Sequence, residues 1–338
     1  MSSPYTFKKE IADKLLDKYP EAPTKTLARI AYRDNPSVWP NLDAARSYFR
    51  VQRGANGVKM RRESTDKSHY RKPQQTGDPF GRLPEPLREF EEWSAVQFDG
   101  PMQALVLSDL QIPFYDRDAT ALAMKYGKKH GADFILLNGD ICDHYAQSDF
   151  VKDPRLRKFS NEVRAVKDFL NVLRDTFPKA RIVYKKANHE DRYERYMMVK
   201  APEFLDIPQF EFASVMGLSD NDIQLVGDSR PIRLGKLNVI HGHEYRFSIS
   251  NPVSPARGLF LRGISNALCS HFHQSSQHSK RSLEQKVITN WSTGCLCQLH
   301  PAFMPMNDWN LGFAFVGVDE DGQFEVDNMR IINGVAYR

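Results

Sequence analysis

The stretch FILLNGDICD, residues 134–143, decides the fold of this chain. Its four apolar residues, 134–137, predict a short strand that is buried on both faces. Asp140 and Asp143 follow closely after the end of that strand. A buried strand that ends in carboxylates is typical of an α/β protein whose functional side chains lie at strand ends.

Similar segments lie on either side of this stretch. Residues 104–107 and 182–184 predict two more apolar strands. Residues 118–129 and 160–176 predict helices with one apolar face. Apolar strands between amphipathic helices indicate a sheet that is covered on both faces.

The second half of the chain has strand-like segments that are joined by turns. These segments are residues 238–241, 287–291, 313–318 and 323–331, and residues 319–322 form one of the turns. Closely spaced strands with turn residues between them predict a second, more antiparallel sheet.

Five short polar blocks occur at the ends of these apparent strands. They are SDLQ (108–111), GDICD (139–143), NHE (188–190), HGH (241–243) and SHFH (270–273). Their carboxylate, amide and imidazole groups form the ligand set that suits divalent Mn, Fe, Zn or Mg. One block alone is a weak signal, because a histidine pair on a strand is often a surface or core feature and an aspartate there often caps a helix.

Taken together, the five blocks resemble the calcineurin-like metallophosphoesterase superfamily. The pattern of that superfamily is Asp-x-His, Gly-Asp-x-x-Asp, Gly-Asn-His-Glu/Asp, a lone His after a strand, and Gly-His-x-His. All five blocks are present in that order within residues 102–331. The resemblance implies an α/β (α+β) fold, a four-layer α/β/β/α sandwich of two mixed sheets.

The resemblance also implies a site for two divalent metal ions, with Asp140 as the carboxylate that bridges them. Mn is the expected metal, with Mg, Fe and Zn as alternatives. The ions would activate a bridging hydroxide that attacks the phosphate ester. The other implied metal ligands are Asp109, Gln111 and His273 for the first ion, and Asn188, His241 and His271 for the second.

His189 matches the family histidine that contacts the phosphoryl group and protonates the leaving oxygen. Asp143 is expected to fix the tautomer of His189. His144 stands where many family phosphatases carry arginine, and the alternative sources of positive charge are Lys185, Lys186, Arg192 and Arg195. We expect substrate contacts from His144, Arg192 and His243, although packing is an equally good explanation of His243.

Gln111 is the main departure from the family pattern, because histidine usually stands at its position. A neutral amide oxygen in place of an imidazole predicts weaker metal binding at the first site and a preference for Mn or Mg over Zn. Ala187 and Ser270 replace two glycines of the pattern. Both side chains are small, so the close packing can be retained.

Charge is unevenly distributed along the chain. Residues 1–75 contain 16 Lys and Arg against 8 Asp and Glu, a balance of +8, so the other residues carry −3 of the total of +5. A basic segment joined to a mildly acidic body predicts that the segment binds a polyanion.

The basic segment has the pattern of three short helices. We expect helices over residues 7–18, from Thr24 to about Asp34, and from the N-cap residue Asn41 to about Gly54. The third helix presents Arg46, Arg50 and Arg53 on one face, as in a helix-turn-helix module that binds nucleic acid. Small three-helix caps and dimerisation modules share this pattern, so the alternative remains open.

Three regions follow from these patterns. Residues 1–54 form the helix-turn-helix-like module, and residues 100–338 form the phosphoesterase domain. Residues 55–99 are predicted to be a basic flexible linker, with a docking helix near 86–96.

Composition limits the protein class. The four cysteines lack a Cys-x-x-Cys pair, and we interpret them as reduced packing residues. No stretch of about 18 apolar residues occurs, and the first residues lack an apolar signal core. We therefore expect a soluble, cytoplasmic protein that does not enter a membrane.

The leading hypothesis is a metal-dependent phosphodiesterase, a nuclease that its basic module brings to DNA or RNA. An alternative is a phosphomonoesterase or a small cyclic-nucleotide phosphodiesterase whose helical module dimerises or regulates. A third is a metal-depleted binding scaffold, which the glutamine at position 111 suggests. The motifs leave open the choice of nucleic acid and the oligomeric state.

Overall fold

A computed structural model describes residues 4–53, 93–149, 153, 155, 158–227, 229–245 and 253–338. The chain divides into two compact units, residues 1–89 and 90–338.

Among its described residues, 4–53, the N-terminal unit contains three helices, as the apolar spacing predicts. They are α1 (Pro4–Lys18), α2 (Thr24–Asp34) and α3 (Leu42–Gln52). The side chain of Asn41 accepts a hydrogen bond from the backbone N–H of Ala44 at 2.8 Å, which confirms Asn41 as the N-cap of α3. The helices enclose a small core with these fully or nearly fully buried residues: Ala12, Leu27, Ala28, Ala31, Trp39, Ala45 and Phe49.

The C-terminal unit has thirteen strands among its described residues, and they form two sheets. The strands are β1 (Val96–Phe98), β2 (Met102–Leu107), β3 (Phe134–Leu137), β4 (Arg181–Lys185), β5 (Ile223–Val226), β6 (Ile232–Leu234), β7 (Leu237–Val239), β8 (Ala267–Cys269), β9 (Ser276–Arg281), β10 (Val287–Ser292), β11 (Gly312–Val318), β12 (Phe324–Ile332) and β13 (Val335–Tyr337).

Helices lie on both sides of the sheets. They are α4 (Arg117–Lys129), α5 (Phe159–Thr176), α6 (Glu190–Lys200), α7 (Phe212–Met216) and α8 (Pro255–Gly263). Short 3-10 turns cover Tyr145–Gln147, Pro202–Phe204, Pro208–Phe210, Ser219–Asn221 and His243–Tyr245.

The first sheet has the strand order β13-β12-β11-β2-β3-β4-β5. Its strands β2 to β5 are parallel, whereas β11 pairs with β2 in the antiparallel sense. Alternate residues of β2 and β3 enter different cores, so both faces of this sheet are buried. This arrangement confirms the prediction from their continuous apolar sequences.

The second sheet has the order β1-β6-β7-β8-β10-β9 and is mixed. Strands β7, β8 and β10 are parallel, while β6 with β7 and β9 with β10 are antiparallel. The two sheets are both mixed, as the resemblance implies, but the prediction that the late strands form a second, more antiparallel sheet is wrong in part, because β11 to β13 extend the first sheet. A strand's residue pattern shows which face is buried and does not identify its partner.

Three hydrophobic clusters define four layers. One cluster joins α4 to α7 with the outer face of the first sheet. A second fills the space between the two sheets, and a third packs α8 on the second sheet. The order helix, sheet, sheet, helix is the α/β/β/α sandwich that the sequence resemblance implies.

This layering brings the ends of several parallel strands together. Asp109, Asp140 and Asn188 follow β2, β3 and β4 in the first sheet. His241 and His271 follow β7 and β8 in the second. Because the carboxyl ends of parallel strands lie at one edge of a sheet, the two sheets present their polar blocks at a shared edge.

The predicted linker falls mainly on residues 54–92, which lie outside the described residues. Of the predicted docking helix near 86–96, residues 93–95 have no regular structure and Val96 begins β1. Within the described part of the chain, no helix has the length and apolar character needed to cross a bilayer.

Candidate metal centre

Asp140, His241 and His271 form the centre of the site. Oδ2 of Asp140 lies 3.2 Å from Nε2 of His241, and Nδ1 of His271 lies 3.2 Å from the same nitrogen. One ligand atom from each of the three residues fits within a group 4.8 Å across. These residues belong to three blocks that are far apart in the sequence, so the fold brings together the bridging residue and two ligands of the predicted second metal.

The residues of the predicted first metal site lie beside this group. Oδ1 of Asp109 is 3.3 Å from Nε2 of His273, and Nε2 of Gln111 is 3.5 Å from that same nitrogen. Oδ1 of Asp109 is also 3.8 Å from Nε2 of His241. Gln111 therefore lies where the sequence predicts a ligand, next to His273.

The backbone is left-handed at five of the predicted ligands. The φ angles are 52° at Asp109, 50° at Gln111, 51° at Asp140, 69° at His271 and 58° at His273. Residues with side chains adopt this conformation rarely, and they keep it where the surrounding structure holds it. The site is therefore built into the tight turns that end the strands.

Gly139 allows the close approach of two blocks. A Cβ at this position would lie 2.4 Å from Cβ of Ala187 and 2.7 Å from Nδ1 of His241. The backbone φ of Gly139 is +86°, which also favours glycine. The side chain of Ala187 is tolerated because the facing residue, Gly139, lacks a side chain.

Neighbouring groups orient the histidines. Nδ1 of His241 donates to the backbone oxygen of Asn138 at 2.8 Å, so Nε2 is the nitrogen that faces Asp140. Nδ1 of His273 lies 3.8 Å from Sγ of Cys297, while Nε2 faces Asp109. Cys295, Cys297 and His273 form a second compact group of donor atoms, and both thiols are buried and free.

Glu190 connects two of the blocks. Its buried carboxylate accepts hydrogen bonds from four backbone N–H groups, those of Asp140, Ile141, Cys142 and Ala187, at 2.9 to 3.3 Å. The hydroxyl of Tyr184 donates to the same carboxylate at 2.8 Å. Burial and the charge of Asp140 raise the pKa of Glu190, and the Tyr184 hydrogen bond opposes them. Glu190 thus positions the Gly-Asp block, a function that its place in the Asn-His-Glu motif could have indicated.

Lys185 and Glu244 form a buried ion pair between the two sheets. Their Nζ and Oε1 atoms are 2.9 Å apart. Glu244 also accepts the backbone N–H groups of His241 and Gly242 at 2.9 and 2.6 Å. Burial alone would raise the pKa of Glu244, but Lys185 lowers it to about 2. Lys185 is therefore not a source of charge for substrate, and Lys186 pairs with Glu194 instead.

The electrostatics of the centre favour a bound cation. Burial alone would raise the pKa of Asp140, but His189 and His241 hold it well below its ordinary value. Burial would lower the pKa of His241, but the carboxylates of Asp140 and Asp109 raise it to about 10. The two carboxylates thus stabilise positive charge at His241, and a divalent ion beside them would be stabilised in the same way.

Among the predicted metal ligands, two buried oxygen atoms lack hydrogen-bond partners in the described residues. They are Oδ1 of Asp109 and Oδ1 of Asn188. A buried polar oxygen without a partner is costly, and coordination of a cation would satisfy it. The oxygen and nitrogen donors here are those of a divalent metal site, so the residues fit the metal that the resemblance implies.

His189 lies at the margin of the metal ligands. Its Nδ1 is 3.2 Å from Oδ1 of Asp143, and its Nε2 is 3.7 Å from Oδ2 of Asp140. Arg192 donates from Nη2 to Nε2 of His189 at 2.9 Å and from Nη1 to the backbone oxygen of Asp143 at 2.8 Å. The fold thus brings His189, Asp143 and Arg192 together.

The prediction that His144 contacts substrate is wrong. His144 is fully buried, and its ring lies 5.8 to 5.9 Å from those of Phe159, Tyr193 and Phe212. Burial lowers the pKa of His144 to about 3, so the ring is neutral. Its backbone N–H donates to Glu162 at 2.5 Å. His144 is a packing residue, and the sequence could not show that its side chain turns inward.

His243 lies beside the histidine cluster. Its ring centroid is 5.4 Å from that of His241 and 6.4 Å from that of His271. Nδ1 of His243 is 3.7 Å from Oε2 of Glu244. Burial lowers the pKa of His243 to about 4, so it carries no charge at neutral pH. Both a packing function and a contact with substrate remain compatible with this position.

A cavity of about 620 Å³ opens over the centre. Its polar lining includes Gln111, Asp140, Asp143, Asn188, His189, Arg192, His271 and His273. Phe303, Met304 and Trp309 line it as well, and the sequence patterns did not single them out. These three residues lie in a long loop without regular periodicity, where pattern analysis has little to detect.

The three arginines predicted to contact nucleic acid, two on α3 and Arg53 directly after it, differ in their surroundings. Arg46 and Arg50 are exposed. Arg53 is half-buried and donates from Nη2 to the backbone oxygen of Pro20 at 2.9 Å. Arg53 therefore joins the end of α3 to the turn before α2, which is a structural function.

The comparisons with known proteins give distant similarities. No family model matches this chain. The Gene 54 protein of Mycobacterium phage L5 is 23% identical over 228 residues, which cover 64% of this chain and 88% of that protein.

Solved structures with similar folds include Vacuolar Protein Sorting 29 from Cryptosporidium parvum, with 12% identity, a TM-score of 0.39 and coverage of 70% of this chain and 94% of that one. Yfce, a phosphoesterase from E. coli, has 13% identity and a TM-score of 0.34, with coverage of 67% of this chain and 99% of that one. A dimetal phosphatase from Danio rerio has 10% identity, a TM-score of 0.34 and coverage of 69% and 96%.

The order of the layers, the order of the motifs and the convergence of the blocks at one edge agree with one another. The C-terminal unit has the four-layer α/β/β/α order that the sequence resemblance implies. Within this fold, the structure adds Glu190, Glu244 and Lys185 to the residues that organise the site.

Proposed function

We propose that this chain is a two-metal phosphodiesterase that acts on nucleic acid. The observation that carries the proposal is the convergence of Asp109, Asp140, Asn188, His241, His271 and His273, with two buried oxygen atoms left without partners. Oxygen and imidazole donors around one bridging carboxylate are what a pair of divalent ions requires.

Asp140 would bridge the two ions. Asp109, Gln111 and His273 would hold the first, and Asn188, His241 and His271 the second. When bound, the ions supply positive charge to the phosphoryl oxygens and lower the pKa of an attacking water. Mn is the preferred choice, because the amide oxygen of Gln111 is a better ligand for a hard ion such as Mn than for Zn.

His189 is the residue we assign to proton transfer. The carboxylate of Asp143 lies 3.2 Å from Nδ1, which favours a proton on that nitrogen. Nε2 accepts a hydrogen bond from Arg192 at 2.9 Å, and a substrate oxygen would have to take the place of that N–H. Nε2 faces the cavity beside Asp140. A protonated His189 can therefore give its Nε2 proton to the leaving oxygen.

Arg192 supplies the cation that the family pattern places elsewhere. Its guanidinium lines the cavity and is held by the backbone oxygen of Asp143. Arginine binds phosphate oxygens through paired N–H groups, so this side chain can bind a non-bridging oxygen of the substrate. His144, which occupies the family arginine position, is buried and neutral.

The N-terminal unit supports the choice of nucleic acid as substrate. Helices α2 and α3 carry exposed cations at Lys25, Arg29, Arg46 and Arg50. Such a surface suits the phosphate backbone of DNA or RNA. In this proposal the basic unit recruits the polymer and the C-terminal unit cleaves it.

Hydrolysis of a phosphomonoester or a small cyclic nucleotide is the second candidate. A cavity of about 620 Å³ is large enough for a mononucleotide. A cavity of this size accommodates a free mononucleotide as well as it accommodates one nucleotide of a polymer.

A substrate panel tests the proposal. The full chain with Mn or Mg should cleave DNA or RNA and bis-p-nitrophenyl phosphate more efficiently than mononucleotides or p-nitrophenyl phosphate. Efficient release of inorganic phosphate from mononucleotides, without cleavage of any polymer, would favour the second candidate. Absence of hydrolysis from the whole panel would exclude both.

A further inference from the structure

The loop between β10 and β11 carries an unusual group of apolar side chains. Phe303 is 75% exposed, Met304 is 43% exposed and Met306 is 92% exposed. Trp309 is half-buried in the same loop. Single exposed apolar residues are common on protein surfaces, but several together beside a polar cavity indicate a surface that binds a ligand.

This loop has a defined shape. Nδ2 of Asn307 donates to the backbone oxygens of Leu299 and Met304 at 2.6 and 2.8 Å. Its Oδ1 accepts the backbone N–H of Trp309 at 3.0 Å. One side chain thus ties three points of the loop together and fixes the position of the apolar residues.

The apolar group is continuous with the metal centre. The ring of Trp309 packs edge-on against that of His273, with centroids 4.2 Å apart, and Phe303 lies 6.3 Å from Trp309. Phe303, Met304 and Trp309 line the same cavity as Asp140 and the other proposed metal ligands. A ligand whose phosphate is at the metals would therefore place its neighbouring group against these side chains.

In a nucleic acid the group next to the phosphate carries a base. Aromatic side chains bind bases by stacking, and methionine offers a polarizable surface of similar use. Bases in a duplex are already stacked and paired, so the flat face of a base is available only in single strands, loops or frayed ends.

We propose that Phe303, Met304 and Trp309 form a stacking subsite for an unpaired base next to the scissile phosphate. The substrate is then single-stranded nucleic acid or an unpaired segment of a duplex. This inference rests on the proposed phosphodiesterase function and adds the substrate class to it.

The test compares substrates that differ only in their bases. The full chain with Mn is given a short single-stranded oligothymidylate, its abasic counterpart with tetrahydrofuran in place of every nucleoside, and the oligothymidylate annealed to its complement. The quantity measured is the ratio of kcat/KM for the oligothymidylate to kcat/KM for the abasic strand, in the wild type, Phe303→Ala and Phe303→Tyr.

We expect Phe303→Ala to lower this ratio by at least about fivefold, which corresponds to ~1 kcal/mol of lost stacking. Phe303→Tyr keeps an aromatic face and should retain the ratio. A matched control is Leu283→Ala, because Leu283 is 100% exposed and lies outside the cavity lining. The annealed strand should be cleaved more slowly than the free strand.

An identical ratio in the wild type and Phe303→Ala would overturn the stacking subsite, and so would equal cleavage of the annealed and free strands. Either result leaves the proposed phosphodiesterase function intact, because the wild type still cleaves. If the wild type cleaves none of the three strands and no RNA strand while hydrolysing mononucleotides, both the subsite and the proposed nuclease function fail.

Discussion

Oδ2 of Asp109 accepts the backbone N–H of His271 at 3.1 Å. Asp109 follows β2 of the first sheet and His271 follows β8 of the second, so this bond connects the two sheets at the metal centre. The other oxygen of Asp109, Oδ1, accepts no hydrogen bond among the described residues and lies 3.3 Å from Nε2 of His273. One carboxylate thus fixes the sheet edges with one oxygen and offers the second to a cation.

Glu190→Ala should destabilise the C-terminal unit and weaken metal binding. Four backbone N–H groups would lose their acceptor, including that of the proposed bridging residue Asp140. We expect the free energy of unfolding in urea to fall by about 2–4 kcal/mol. The exposed Glu203 lies on a nearby turn and is a matched control. Glu203→Ala should change the free energy of unfolding by less than about 0.5 kcal/mol. Equal stability of the two variants would refute the anchoring function of Glu190.

Lys185→Met should leave Glu244 buried without a counter-charge. We expect the free energy of unfolding at pH 7 to fall by about 3–5 kcal/mol. Because the folded pKa of Glu244 is about 2, below its ordinary 4.5, the pair stabilises fully above about pH 4.5 and less as the pH falls toward 2.

The difference between the wild type and Lys185→Met should therefore be smaller at pH 4 than at pH 7. Urea unfolding at both values measures it, with the exposed Lys280→Met as control. A difference that is the same at the two pH values would contradict the depressed pKa of Glu244.

Gln111→His should strengthen the first metal site. An imidazole beside His273 adds a nitrogen donor where the wild type has an amide, so we expect Mn or Zn to bind on the order of tenfold more tightly. Metal titration by calorimetry measures the change, with Gln323→His on an exposed turn as control. Unchanged affinity in Gln111→His would mean that residue 111 does not contact the metal.

The paired change Arg46→Ala with Arg50→Ala should weaken nucleic-acid binding. Affinity for duplex DNA falls with salt, and loss of two phosphate contacts should make the negative slope of log affinity against log salt shallower by about 2. The control is Lys128→Ala with Lys129→Ala, which removes two exposed cations from the C-terminal unit. Equal salt slopes for the two double variants would exclude α3 as the binding surface. Arg53→Ala is expected to lower stability instead, because Arg53 binds Pro20.

The sequence predicts the local parts of this structure well. Strand β3 has the predicted bounds, and α4 and α5 begin one residue earlier than expected. Such elements are encoded by residues that are close in sequence, through periodicity and capping. The five blocks could be found for the same reason, because each is a short motif at a strand end.

The features that depend on distant partners could not be predicted. The pattern of β11 shows a buried strand but not that it pairs with β2. His144 stands in a polar motif, yet aromatic rings from three other segments enclose it. The local sequence suggests that Lys185 is a solvated lysine, but the fold brings it to Glu244, with which it forms an ion pair. In each case the environment is supplied by residues that the local sequence does not identify.

We propose that metal ions held around Asp140 allow the chain to hydrolyse phosphodiesters. The most direct measurement is the hydrolysis of bis-p-nitrophenyl phosphate by the full chain with Mn, compared with Asp140→Ala. We predict turnover by the wild type that a chelator abolishes and Mn restores, and a loss of at least a thousandfold, ~4 kcal/mol, in the variant. Turnover by Asp140→Ala at the wild-type rate, or hydrolysis that persists in the chelator, would contradict this account.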